Sequence, residues 1–203
     1  MPPRKLIAGF IWRFVVLYAL LIVPWPGFNG AYGRYFCALG QLIFARENDR
    51  RIVHFEPVPE ELRHQLDIRI ALGNREHLDR NGSGQMVFLE LDTRGIGWVP
   101  TALLLALVLA TPVTWRRRAG ALCLGLLSVH ALVIFSVAIY IWNNSVDLGL
   151  VTVGPFSKQI IAGLEETLIT QMGASFAAPV LIWMLFTIRP KDVAVWREAS
   201  CDI

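Results

Sequence analysis

The sequence predicts a polytopic α-helical membrane protein of about four transmembrane helices, carrying a small α+β extracytoplasmic domain. Three observations predict it. Apolar residues fall in blocks, charges fall between the blocks, and each of the three expected cytoplasmic segments carries Lys or Arg close to a block end. Over the 203 residues, 55% are hydrophobic and 17% charged, with a mean hydropathy of +0.50. Soluble domains run at about 45–50% apolar and about 25% charged, so the excess points to lipid. Four spans of about 20 residues each leave roughly 120 residues, enough for one small extramembrane domain and not for two.

The first element, residues 1–27, is an apolar stretch from Leu6 to Val23 behind Arg4 and Lys5. It is longer than the apolar core of a signal peptide, Arg13 interrupts it, and no small-x-small site follows. It reads as an uncleaved first span with a cytoplasmic N-terminus. Pro24 and Pro26 stop the helix, and Trp25 between them suits the headgroup level.

Residues 28–97 are the expected extracytoplasmic α+β domain, nearly neutral with nine Lys/Arg and ten Asp/Glu. Ala31–Phe44 reads as an amphipathic helix, with Tyr32, Tyr35, Phe36, Leu39 and Ile43 at helical spacing. Arg51–Glu56, Leu66–Leu72 and Met86–Leu91 read as strands. In the second, Leu66, Ile68, Ile70 and Leu72 alternate with Asp67, Arg69 and Ala71, the period of a half-buried strand. Gly73–Gln85 reads as a hairpin loop and Glu60–Gln65 as a single helical turn.

Residues 98–142 are expected to hold the second and third spans. Trp98 opens the pair, Pro112 and Trp115 close the second span, and the cytoplasmic turn carries Arg116, Arg117 and Arg118. Residues 143–168 are expected outside, as a loop and a helix extension. The span 169–188 would continue that extension. One helix from Phe156 to Ile188, about thirty residues, would be roughly 50 Å long against a hydrocarbon core of about 30 Å. The tail, 189–203, is cytoplasmic in this reading, with Arg189, Lys191 and Arg197. The localisation expected is thus a bacterial inner membrane, multi-pass, with both termini cytoplasmic.

A pI near 9 raises nucleic acid as a partner. The basic residues are dispersed and their longest run separates two apolar blocks, so no nucleic-acid partner is expected. The three cysteines, Cys37, Cys123 and Cys201, fall in different segments, and no disulfide is expected. No metal-ligand spacing is present, and no cofactor or metal is expected.

Few residues offer chemistry. His130 lies near the middle of the third span, where ionisable groups are often functional, with Cys123 seven residues before it. A Cys/His pair can supply a nucleophile and a base. Seven helical residues span about 10 Å, whereas direct activation needs about 3 Å, so a histidine bonded between helices is the preferred reading. Arg13 is either a functional intramembrane arginine or, as preferred, one that reaches the cytoplasmic phosphates. Glu165 and Glu166 resemble the paired glutamates of intramembrane CAAX-type proteases. Thr170 stands where the following arginine belongs, and a solvated helix face explains the pair better. His54, His64 and His77 read as surface or loop residues. Gly173, Ala174, Ala177 and Ala178 form a small-residue face suited either to a partner helix or to the chain's own spans.

The stretch LDTRGIGWVPTALLLALVLATPVTWRRR, residues 91–118, follows a Pro-Trp-Pro break and a strand-rich domain. In that order of parts the chain resembles the exosortase H-associated membrane proteins, a group of small membrane proteins encoded beside exosortases. The resemblance covers most of the chain. It implies a non-enzymatic accessory or assembly subunit of a bacterial inner-membrane protein-sorting system, with the lipid bilayer and a sorting enzyme as partners. It carries over no catalytic residue, and the Cys, Arg and His arrangement of the exosortases themselves is not seen here. Arg13, Arg94, Trp98, Glu165, Glu166, Gly173 and Ala177 are the interaction candidates. The competing expectations are an intramembrane cysteine hydrolase or transpeptidase built on Cys123 and His130, and a small transporter subunit.

Overall fold

The computed structural model describes residues 3–23, 25, 27–45, 51–58, 66–75, 86–167 and 172–188. The chain divides into two compact units. One gathers Met1–Val23, Gly97–Ser136 and Thr167–Ile203; the other gathers Pro24–Ile96 and Val137–Glu166.

The first unit is helical. Helix α1 (Pro3–Ile22) ends just before Pro24 in the sequence. Helix α3 (Val99–Ala110) starts with a proline in its first turn, where the missing N–H costs nothing. It stops at Thr111, whose ψ of 129° is the extended conformation that a following proline, Pro112, imposes. Helix α4 (Trp115–Asp147) then runs 33 residues, and helix α6 is Met172–Thr187. The core of the unit is the α3 surface: Ala102, Leu104, Ala106, Val108 and Ala110 are all buried. Gly125 of α4 lets Leu104 approach so closely that a Cβ there would lie 2.9 Å from its Cδ2.

The second unit is a three-stranded antiparallel sheet with helices. Strands β1 (Arg51–Pro57), β2 (Ile68–Asn74) and β3 (Met86–Leu91) lie in the order β1-β2-β3. Ile70 stands opposite Phe55 on one side and Leu89 on the other; Ile68 stands opposite Pro57 and Leu91. Ile68, Ile70, Leu72, Phe55, Leu89 and Leu91 are the buried set, which is the period-two face of the three strands. Helix α2 (Phe28–Phe44) covers β1. A Cβ on Gly40 would come within 2.6 Å of the Phe55 ring, so glycine at this position sets the distance between helix and strand. Helix α5 (Pro155–Glu165) again begins with proline in its first turn.

The fold class expected from the sequence is corrected here. Among the described residues one helix, α4, is long and apolar enough to cross a membrane, not about four. The shorter apolar helices, Ile7–Ile22, Arg94–Ala110 and Phe176–Thr187, hold at most 17 described residues, about 25 Å against a hydrocarbon core of about 30 Å. An apolar run in a sequence is not the length of the helix it forms. The Thr111–Pro112 break ends the second run where the sequence placed its end; of the single helix expected from Phe156 to Ile188 the described parts are α5 and α6, and residues 168–171 between them lie outside the described residues. The expected turn at Glu60–Gln65, most of the hairpin loop (76–85), His64, His77 and the tail 189–203 with Cys201 lie outside the described residues.

Candidate functional site

The catalytic pair considered from the sequence lies on one helix. Cys123 is exposed on α4, and seven residues of helix, about 10 Å along the axis, separate it from His130. Nδ1 of His130 lies 2.9 Å from the carbonyl oxygen of Leu126, one turn back. Ser128 likewise donates to Leu124 of its own helix at 2.9 Å. These polar side chains thus bond to the turn that precedes them, as hydroxyl and imidazole groups on apolar helices do. Arg13 is exposed on α1, and Gly173 and the exposed Ala177 lie on α6.

Arg94 and Trp98 lie at the two ends of a single π-helical turn, Arg94–Trp98, leading into α3. The turn is launched by Asp92, whose Oδ1 accepts the N–H of Arg94 at 3.0 Å. Trp98 donates Nε1–H to the carbonyl of Leu21 at 3.0 Å and so satisfies one of the carbonyls left open at the end of α1. The Trp98 side chain therefore has structural work within the chain, whereas the bond at Arg94 is made by its backbone.

Asp67 and Thr93 form the main polar clamp of the sheet unit. Thr93 is fully buried; its N–H donates to Oδ1 of Asp67 at 2.8 Å and its hydroxyl donates to Oδ2. The clamp ties the residue before β2 to the residues after β3. Asp67 also lies near Cys37 of α2. Burial first, then Asp67 and Glu56, push the Cys37 thiol up to about 11, which makes it a poor nucleophile.

One face of the sheet carries a charge row. Arg69 lies between Glu90 at 3.3 Å and Glu56 at 4.0 Å, with its guanidinium 5.0 Å over the Phe88 ring. Glu165, half-buried, accepts from Nδ2 of Asn143 on α4. Burial raises the Glu165 carboxyl above its usual range; the Asn143 bond pulls the other way, and Asp147 adds to the rise. Glu166 beside it is exposed. The outer edge of β3 pairs with no other described strand, and Met86, Val87 and Phe88 on it are exposed.

The constellation that sequence reading missed lies in the helical unit. Arg117 donates Nη2–H to the carbonyl of Thr187 at 2.9 Å, and Arg118 donates to that of Thr111 at 3.0 Å. Trp183 donates Nε1–H to the Thr111 hydroxyl at 2.9 Å. The Arg triplet signalled a topology marker; nothing in its spacing pointed to partners up to 70 residues away. Among the described residues no group of His, Cys, Asp and Glu could hold a metal ion. Compared with family models, curated proteins and solved structures, the chain matches none.

Proposed function

We propose that this protein is a non-enzymatic accessory subunit, held at a bacterial inner membrane, that docks a partner membrane protein of a protein-sorting system of the exosortase type. The observation that carries the docking role is the outer edge of β3. An exposed, apolar edge strand is a template for pairing with another chain, and soluble proteins blunt such edges with lysine, proline or a bulge. β3 presents Met86, Val87 and Phe88 there instead, directly beside a well-packed sheet core. A partner strand added to β3 would take its main-chain hydrogen bonds from the edge and its specificity from these side chains.

Membrane attachment is supported by α4. Its most apolar 18-residue stretch is only 28% buried, whereas the core helix of a soluble protein is mostly buried. Trp12, Leu127, Leu181 and Leu185 are likewise exposed on the helical unit, a surface that lipid would cover. The accessory reading is favoured over hydrolysis because Cys123 and His130 lie seven residues apart on one helix, about 10 Å along its axis, against the roughly 3 Å that direct activation needs.

The test is purification of the protein from its native membrane in mild detergent, with co-purifying proteins identified by mass spectrometry. A stoichiometric sorting enzyme is expected, and Phe88→Lys should release it. Elution of the wild-type protein alone, or full sorting activity in cells lacking this chain, would sink the proposal.

A further inference from the structure

Helix α1 carries one charge in the middle of its apolar length. Arg13 stands ten residues after Pro3 in a helix of 20, about 15 Å along the axis. It is exposed, as are Trp12, Val15 and Val16 around it. An arginine near the end of a span reaches the headgroups; one deep in a span turns inward and pairs with another helix. Arg13 does not turn inward. Among the described residues of the helical unit there is no Asp or Glu at all, so none of them can neutralise it.

The face of α1 around it is open. Phe10 stacks on Trp183 of α6 at 5.9 Å, and Phe14 and Tyr18 continue that aromatic row along α1. Gly9, Arg13 and Val16 lie at spacings of four and three on another face, one above the other. A Cβ built on Gly9 would meet nothing within 4 Å, and Val16 is 43% exposed. Bare backbone one turn from the charge lets a second helix come close, and small residues mark such contacts in membranes. A second copy of this chain could not supply the missing carboxylate from the described residues of its helical unit, which are equally without acid.

We infer that this face of α1 docks a transmembrane helix of another protein, one that carries an aspartate or glutamate near the middle of its span. Gly9 admits the backbone of that helix, and the Arg13 guanidinium donates to its carboxylate, the planar fork matching both oxygens. In lipid such a pair is neutral overall, which offsets the cost of leaving either charge alone. The inference rests on the membrane reading of the helical unit and not on the β3 edge.

The test uses the full chain in phosphatidylcholine bicelles with dansyl-labelled polyleucine transmembrane peptides carrying Asp, Leu or Lys at the centre. Energy transfer from the chain's tryptophans to dansyl reports association. Saturable transfer is expected with the Asp peptide only. Arg13→Leu should weaken it about tenfold or more, the factor carried by one charge-assisted hydrogen bond. Gly9→Leu should weaken it too while leaving the Tm of the chain in place, since no described atom of the chain fills that space. Equal transfer with the Asp and Leu peptides, or an Asp-peptide response unchanged in both variants, would overturn the inference and leave Arg13 to the headgroup phosphates. The membrane reading is checked separately: brominated phosphatidylcholine should quench Trp12, taken as the difference between the wild type and Trp12→Phe. Quenching without peptide association removes the docked helix alone; no quenching removes the membrane reading and this inference with it.

Discussion

The two units of this chain treat charge in opposite ways. In the sheet unit nearly every carboxylate described has a partner: Asp67 with Thr93, Glu90 and Glu56 with Arg69, Glu165 with Asn143, Asp147 with Lys158. The helical unit has no carboxylate among its described residues, and its large apolar side chains are widely exposed. The difference teaches what each surface is built to meet. On the membrane reading proposed above, the sheet unit with its paired charges and buried Ile-Leu face would meet water, and the acid-free unit with exposed leucines and tryptophans would meet lipid.

The largest effect that would test this contrast is in the sheet core. Ile70 is fully buried between Phe55 and Leu89. Ile70→Ala should cost on the order of 3–4 kcal/mol of unfolding free energy, read from thermal or urea unfolding of the full chain. A cost below about 1 kcal/mol would mean that the sheet face is not a packed core.

Leu181 is the sharpest probe of the other unit, being 64% exposed near the middle of α6. If lipid covers it, Leu181→Lys should cost about 3 kcal/mol for a protein reconstituted in phospholipid bicelles. If water covers it, the change should stay within about 0.5 kcal/mol, and the contrast between the units collapses. Next comes Asp67→Ala, which strips the buried Thr93 N–H and hydroxyl of their acceptor. It should cost about 2 kcal/mol, with Asp67→Asn milder because an amide oxygen can still accept.

Smaller effects follow. The Glu165 carboxyl is raised in the folded protein, so the folded state holds its proton more tightly than the unfolded state does. Its contribution to stability is therefore present below the ordinary glutamate value and is lost as pH rises through the raised one. Glu165→Gln should flatten that part of the Tm-against-pH curve in this weakly acid window; an unchanged slope would remove the residue from the account. Smallest is Lys158→Ala. Lys158 and Asp147 are 2.8 Å apart but both are 53% exposed, so the loss should be no more than about 0.5 kcal/mol and should vanish in high salt.

The strands were legible because burial on a sheet face leaves a period of two in the sequence. Ile68, Ile70 and Leu72 alternate as they must, and β2 forms over Ile68–Asn74, shifted two residues from the expected range. The number of membrane-length helices was not legible. Hydropathy registers the apolar content of a run, whereas helix length depends on where backbone conformation changes. The stretch before Pro112 forms a π-helical turn and only twelve α-helical residues, which its apolar content does not reveal. The polar pairings were also out of reach: Asp67 meets Thr93 across 26 residues, and Arg117 meets Thr187 across 70. Neither pair has a local pattern, because what joins them is packing. Arg94 and Trp98, interaction candidates from the sequence, both sit at the turn into α3, where Trp98 caps α1.

The Asp92–Gly95 turn has a consequence for heredity. A Cβ on residue 95 would fall 2.6 Å from Oδ2 of Asp92, and that carboxylate cannot swing aside without releasing the Arg94 N–H. The two positions are therefore expected to change together or not at all. In any descendant of the same ancestral chain, an aspartate at the first position should travel with a glycine at the fourth, and an aspartate before the second strand with the threonine between them. Asp67, Asp92, Thr93 and Gly95 together make a four-point signature. Kinship could be traced with it among chains too diverged for overall identity to register.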